Sequence, residues 1–149
     1  MTYRDKLVLY LKQVRPVVLR ENRVVARWNA AMKKHLSYDK DSTWSRFRRG
    51  IEKVMPGIEQ LGVDYAAVSP PEQLVKAHEK VVASLRTMDS LANAELDALQ
   101  YGSNRGYAGF ETLPLAQKAN ALYRDWAFAV QVEAKRQHVK IPFDITQNE

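Results

Sequence analysis

The chain reads as an all-α, antiparallel, up-down-up-down four-helix bundle with a long, kinked first helix. Two observations predict it. Leu74, His78, Val81, Leu85, Met88, Ala92, Glu95 and Leu99 alternate steps of four and three, a heptad seam that keeps one helical stripe turned toward partner helices. The same step recurs in Leu7, Leu11, Val14, Val18, Glu21, Val25, Trp28, Met32 and His35. Two long helices with matching seams need each other and further helices to cover them.

The elements follow in order. Helix 1 is expected from about Thr2, which can cap it, to about Leu36, with a kink near Lys12 to Pro16 because proline removes a ladder bond and crowds the previous turn. Tyr10, Val17, Val24 and Ala31 widen its apolar stripe. A loop is expected at Ser37 to Asp41, with Asp41 or Ser42 capping helix 2. Trp44, Phe47, Ile51, Val54, Ile58 and Leu61 form the helix 2 stripe, and Pro56-Gly57 is expected to bend or break it. Ala-Ala-Val-Ser-Pro-Pro over 66–71 is the clearest boundary, with Ser69 as N-cap and Pro70 as first helical residue of helix 3, which runs to about Gln100. Three glycines and three aromatics in 101–110 suggest an ordered loop. Thr112 and Pro114 then open helix 4, carrying Leu115, Ala119, Leu122, Trp126, Val130 and Ala134 to about Gln137. The chain is expected to form one domain, 1–149, in which 139–149 is an extended C-terminal tail packed across the bundle end.

At 149 residues the chain can bury a sizeable core, and 46% apolar content argues against disorder. No apolar run is long enough to span a bilayer, and the first residues do not read as a secretion signal. A cytoplasmic protein is the default reading. There is no cysteine, which excludes disulfides and thiolate metal sites. Charge is uneven: residues 1–56 hold 14 Lys and Arg against 5 Asp and Glu, a net +9 within the whole chain's +6. Lys33, Lys34, Lys40, Arg46, Arg48, Arg49 and Lys53 form a candidate polyanion patch at one end. The stretch Trp44 to Arg49 mixes aromatic and basic residues, a pattern that can stack bases and neutralise phosphates. Helical spacing gives the plainer reading, in which Trp44 and Phe47 point to the core and the arginines to water.

Chemistry finds few supports. No Glu has a histidine three positions later, as a di-iron bundle requires. His78-Glu79 begins a zinc-protease pattern, but Val82 stands where the second histidine belongs. No phosphate loop or nucleophile elbow is present. His35 falls at the opposite end of the bundle from His78 and His138, so the three histidines make no joint metal centre. Glu21, His78, Glu95, Arg124 and His138 form a candidate buried polar site. A seam carboxylate needs a partner, and Arg124 is the partner the helix register suggests for Glu21. No catalytic residue, metal ligand or cofactor is assigned.

Pro70-Pro71-Glu72-Gln73-Leu74, followed by His78, Val81 and Leu85, resembles a helix start in all-helical bacterial proteins of uncharacterised function, and the Tyr10, Pro16 and Trp28 pattern is similar to their first helix. The resemblance covers about half the chain. It implies a helical bundle and no activity. Many of those proteins carry an export signal, which this chain lacks. The function expected is non-catalytic: protein–protein interaction or scaffolding, with a protein partner or a homo-oligomer. One alternative is nucleic-acid or anionic-surface binding through the basic half. Another is small-molecule binding in a cavity near His78 or the 101–110 loop.

Overall fold

A computed structural model describes the backbone of residues 1–37, 41–101 and 105–147, and the side chains of 1–32, 47–97 and 112–147. Four helices follow in chain order: α1 (Tyr3–Ser37), α2 (Asp41–Ala67), α3 (Val75–Tyr101) and α4 (Arg105–Arg136). A single 3₁₀ turn, Glu72–Leu74, leads into α3. Consecutive helices pack closely against each other. Neighbouring helices run antiparallel: Arg20 of α1 pairs with Asp64 of α2, Tyr65 of α2 meets His78 of α3, Lys80 of α3 pairs with Asp125 of α4, and Tyr3 of α1 meets Glu133 of α4. This is the up-down-up-down bundle that the seams predict, and its core holds Leu7, Leu11, Val14 and Val18 with Ile51, Ile58, Leu61, Leu74, Val81, Leu85 and Val130.

Local chemistry explains the helix ends that agree with expectation. Thr2 and Asp5 close a reciprocal box at the start of α1: the Asp5 amide donates to Thr2 Oγ1 and the Thr2 amide to Asp5 Oδ2, each at 3.1 Å. The α1 ladder runs on through Pro16. Helix α2 likewise continues past Pro56-Gly57, so of the expected bend or break the break does not occur. Both prolines are exposed, and the carbonyls they leave unbonded one turn earlier can turn to water. The expected capping of α2 by Asp41 or Ser42, and the positions of His35 and Trp44, lie outside the described side chains.

Two starts differ from expectation. Ser69 does not cap α3, and Pro70 is not its first helical residue. Pro71 is the N-cap, extended at φ −64° and ψ 157°, with no side-chain cap. The ring of Pro71 disfavours the helical conformation at Pro70, so winding waits until Glu72. Helix α4 begins at Arg105 rather than Thr112, so residues 105–110 are helical where a loop was expected, and Pro114 sits inside the helix. Each glycine costs a helix only about 1 kcal/mol, which packing overrides.

The segment after α4 lies along the bundle rather than across its end. His138 takes a left-handed φ of 52°, the Val139 amide reaches back to the Ala134 carbonyl (2.9 Å), and the His138 amide to Lys135 (3.3 Å). This Schellman arrangement reverses the chain. Arg4 then meets the Gln137 carbonyl, Arg15 that of Pro142, and Asn22 that of Asp144. From Arg4 to Asn22 is about 27 Å of helix, a length that the extended chain from 137 to 144 nearly matches. Residues 139–147 therefore form a strap in the groove between α1 and α4. Ile145 is buried, while Val139, Ile141 and Phe143 pack half-buried on the core.

Candidate functional site

Two polar clusters are buried in the bundle. The larger grows from seam positions. His78, at the second seam step of α3, falls between α1 and the end of α2. Its Nε2 lies 2.7 Å from the Tyr65 carbonyl, and its Nδ1 lies 2.7 Å from Tyr10 Oη. A carbonyl only accepts, so Nε2 carries the proton and Nδ1 accepts from the Tyr10 hydroxyl. Tyr10 Oη in turn accepts from Trp126 Nε1 at 3.0 Å. The imidazole is thereby held neutral. A second ring proton would need the Tyr10 oxygen and leave the Tyr10 proton without its acceptor. Burial lowers the His78 pKa in the same direction, and the bond to the Tyr65 carbonyl opposes it.

Tyr65 links this chain to Glu21. Its hydroxyl donates to Glu21 Oε1 at 2.5 Å, and both residues are essentially inaccessible to water. Burial pushes the Glu21 carboxyl up to about 7, against the bond from Tyr65 and the neighbouring Gln147 amide. Gln147 Nε2 leans on the carboxyl without reaching hydrogen-bond geometry. The Tyr65 phenol is raised by its own burial and by Glu21. Trp126 stands edge-on to Tyr65 at 5.8 Å between centroids and tilts against Tyr123, whose hydroxyl donates to the Ile145 carbonyl of the strap at 2.6 Å. The second cluster is smaller. Thr112 Oγ1 donates to Glu95 Oε1 at 2.6 Å, and burial raises the Glu95 carboxyl. Glu95 lies 17 residues from His78 on α3, roughly 25 Å along the axis.

The structure thus brings Glu21 and His78 together, through Tyr65, and leaves Glu95 apart. Glu21 is bonded by Tyr65, whereas Arg124, suggested as its partner, lies exposed on α4. His138 is exposed at the end of α4 and shapes its cap, while both ring nitrogens of His78 are taken by other groups. Sequence reading missed Tyr65, although it extends the α2 stripe four residues beyond Leu61. It also missed Gln147, which no spacing could reveal. Of the basic patch, Arg48, Arg49 and Lys53 are exposed on α2, with Arg48 paired to Glu52 at 3.2 Å; Lys33, Lys34, Lys40 and Arg46 lie outside the described side chains.

Among the described residues no group of acidic, His or Cys side chains is arranged to hold a metal ion. Two adjoining open grooves flank the network. One, of about 410 Å³, lies between α1 and the end of α2 at Val17, Arg20, Asp64 and Val68. The other, of about 290 Å³, has Tyr10 in its wall with Lys6, Leu9 and Pro71. Among the described residues no helix is long and apolar enough to cross a membrane. Compared with protein families, curated proteins and solved structures, the chain matches none.

Proposed function

We propose that the protein is a non-catalytic interaction module whose working surface is the outer face of α1 and α2. One observation carries this reading: the hydrogen-bonded network of Glu21, Tyr65, His78 and Tyr10 lies inside the bundle, and the cations of α1 and α2 face outward. Glu21, His78, Tyr10, Tyr65 and Glu95 are buried, and their polar atoms are engaged by hydrogen bonds among themselves and their neighbours. The contacts of Gly50 with Ala31 and Gly57 with Val24 set the α1–α2 register. It brings Arg27 level with Val54, beside Lys53, and Arg23 level with Ile58. Arg23, Arg27, Arg49 and Lys53 are exposed there. On the described parts of the same helices the exposed acids are Asp5, Glu52 and Glu59. Such a face suits an acidic protein surface, which it would steer and orient electrostatically. The same excess of cations supports a second reading, nucleic-acid binding.

Titration of the fluorescently labelled protein with poly-glutamate and with duplex DNA tests both. The first reading expects the tighter, salt-sensitive binding with poly-glutamate, lost in an Arg27→Glu, Lys53→Glu double variant that folds like wild type. Tighter DNA binding with a steep salt slope promotes the second reading. Binding of neither polymer at low salt defeats both.

A further inference from the structure

The strap and the carboxyl beneath it belong together mechanically. We infer that residues 139–147 are a releasable closure, lifting out of the α1–α4 groove when Glu21 ionises and exposing that groove to solvent. The strap is held differently from the helices. Beyond its backbone link to the end of α4, it is held among the described residues by three side-chain bonds to its carbonyls, from Arg15 (3.1 Å), Asn22 (3.2 Å) and Tyr123 (2.6 Å), by the buried Ile145 and by the half-buried Val139, Ile141 and Phe143. Segments with few buried apolar contacts open at lower free energy than packed helices. Its seat is also incompletely satisfied: among the described residues Asn22 Oδ1 and Gln147 Nε2 are buried with no partner in hydrogen-bond geometry, and both gain water on release.

The groups facing Glu21 offer the ionised form little help. On α1 itself the adjacent Arg20 is engaged by Asp64 at 2.6 Å. From α2 comes the neutral Tyr65 hydroxyl. From α3, His78 reaches no closer than the Tyr65 carbonyl and is itself held neutral. From α4, Tyr123 gives its proton to the strap and Arg124 is exposed. The strap offers the Gln147 amide, while its Asp144 carboxylate accepts from Thr146. Burial therefore dominates, holding the closed carboxyl protonated up to about pH 7. Once ionised, it is stabilised by hydration, and the shallowest route to water is removal of the strap rather than separation of helices.

Trypsin cleavage after the exposed Lys140 reads the open population, measured relative to a free peptide of residues 136–147 at each pH. If release fully hydrates Glu21, normalised cleavage rises roughly thirtyfold from pH 5.5 to 8.5. A Glu21→Gln variant keeps the acceptor for Tyr65 and should show no rise. Tyr65→Phe removes a bond that favours the charged form, so its transition should move to higher pH. A flat wild-type profile, or an equal rise in Glu21→Gln, overturns the inference. So does cleavage within α1 and α2 that rises in parallel, because the whole bundle would then be opening.

Discussion

The bundle solves the contact between α1 and its two neighbours in opposite ways. Against α2, the second half of α1 packs its side chains directly onto glycine backbone. A Cβ added to Gly50 would stand 3.1 Å from the Ala31 Cβ, and one added to Gly57 would stand 3.3 Å from a Val24 methyl. Against α4, the gap is filled by an extended strap outside and by Tyr10, Trp126 and Glu21 inside. The first contact is set, at Gly50 and Gly57, by the absence of side chains. The second is set by hydrogen bonds between large amphipathic ones. Close helix approach is rigid, since either backbone must move to relieve it. A groove filled by a strap can be emptied without moving a helix. The glycines of α2 meet the second half of α1 at Val24 and Ala31, whereas the polar network, which also draws Tyr65 from α2, gathers around Tyr10 and Glu21.

The largest effect should come from the filled side. Trp126 is wholly buried and donates to Tyr10, so Trp126→Ala should cost about 3–5 kcal/mol in urea unfolding, from lost burial and an opened cavity. A cost under about 1 kcal/mol would mean that the α1–α4 contact does not depend on this ring.

Next in size is pH dependence. Glu21 binds its proton more tightly folded, at about 7, than unfolded, near its ordinary value of 4.5. The pH-dependent cost of burying it is therefore absent below about pH 4.5. The cost grows as pH rises and reaches about 3 kcal/mol above pH 7. Glu95, raised in the same direction, adds to this alkaline loss. His78 acts oppositely: its lowered value means that the unfolded chain takes up a proton first, so stability falls as pH drops below 6.5. Glu21→Gln should thus gain stability over wild type at pH 8 and none at pH 4. Equal differences at both pH values would contradict the burial assigned to this carboxyl.

The smallest effects separate two glycines of α2, one facing α1 and the other facing α3. Gly50→Ala gains about 1 kcal/mol of helix propensity but forces its methyl onto Ala31, whose own Cβ cannot rotate away, so a net loss is expected. Gly62→Ala would meet Leu85 at 3.7 Å, an ordinary contact, and should gain about 0.5–1 kcal/mol. Chemical denaturation of the two variants side by side reads the sign. A stabilising Gly50→Ala would show that α1 and α2 can part at little cost.

Much of this molecule follows from spacing alone. Apolar residues three and four apart must share a helical face, so the seams from Leu7 to Trp28 and from Leu74 to Glu95 specified the helices, their buried stripes and hence the bundle. The same spacing marked Glu21, His78 and Glu95 as polar interruptions of a core, because burial of a seam position does not depend on which partner covers it. Partner choice was decided only in three dimensions. Tyr65 rather than Arg124 meets Glu21, because a neutral donor can be buried beside a carboxyl without the desolvation cost of a guanidinium. Helix starts at Glu72 and Arg105 were likewise beyond local signals: proline sterics at the first outweighed the Ser69 cap, and at the second the cost of each glycine, about 1 kcal/mol, is small enough for a helix to absorb. The strap was least legible of all. Its alternating apolar residues announce an extended segment, but its course along α1 is chosen by Arg15, Asn22 and Tyr123, residues more than a hundred or some twenty positions away in the chain, which only the folded bundle gathers along one groove.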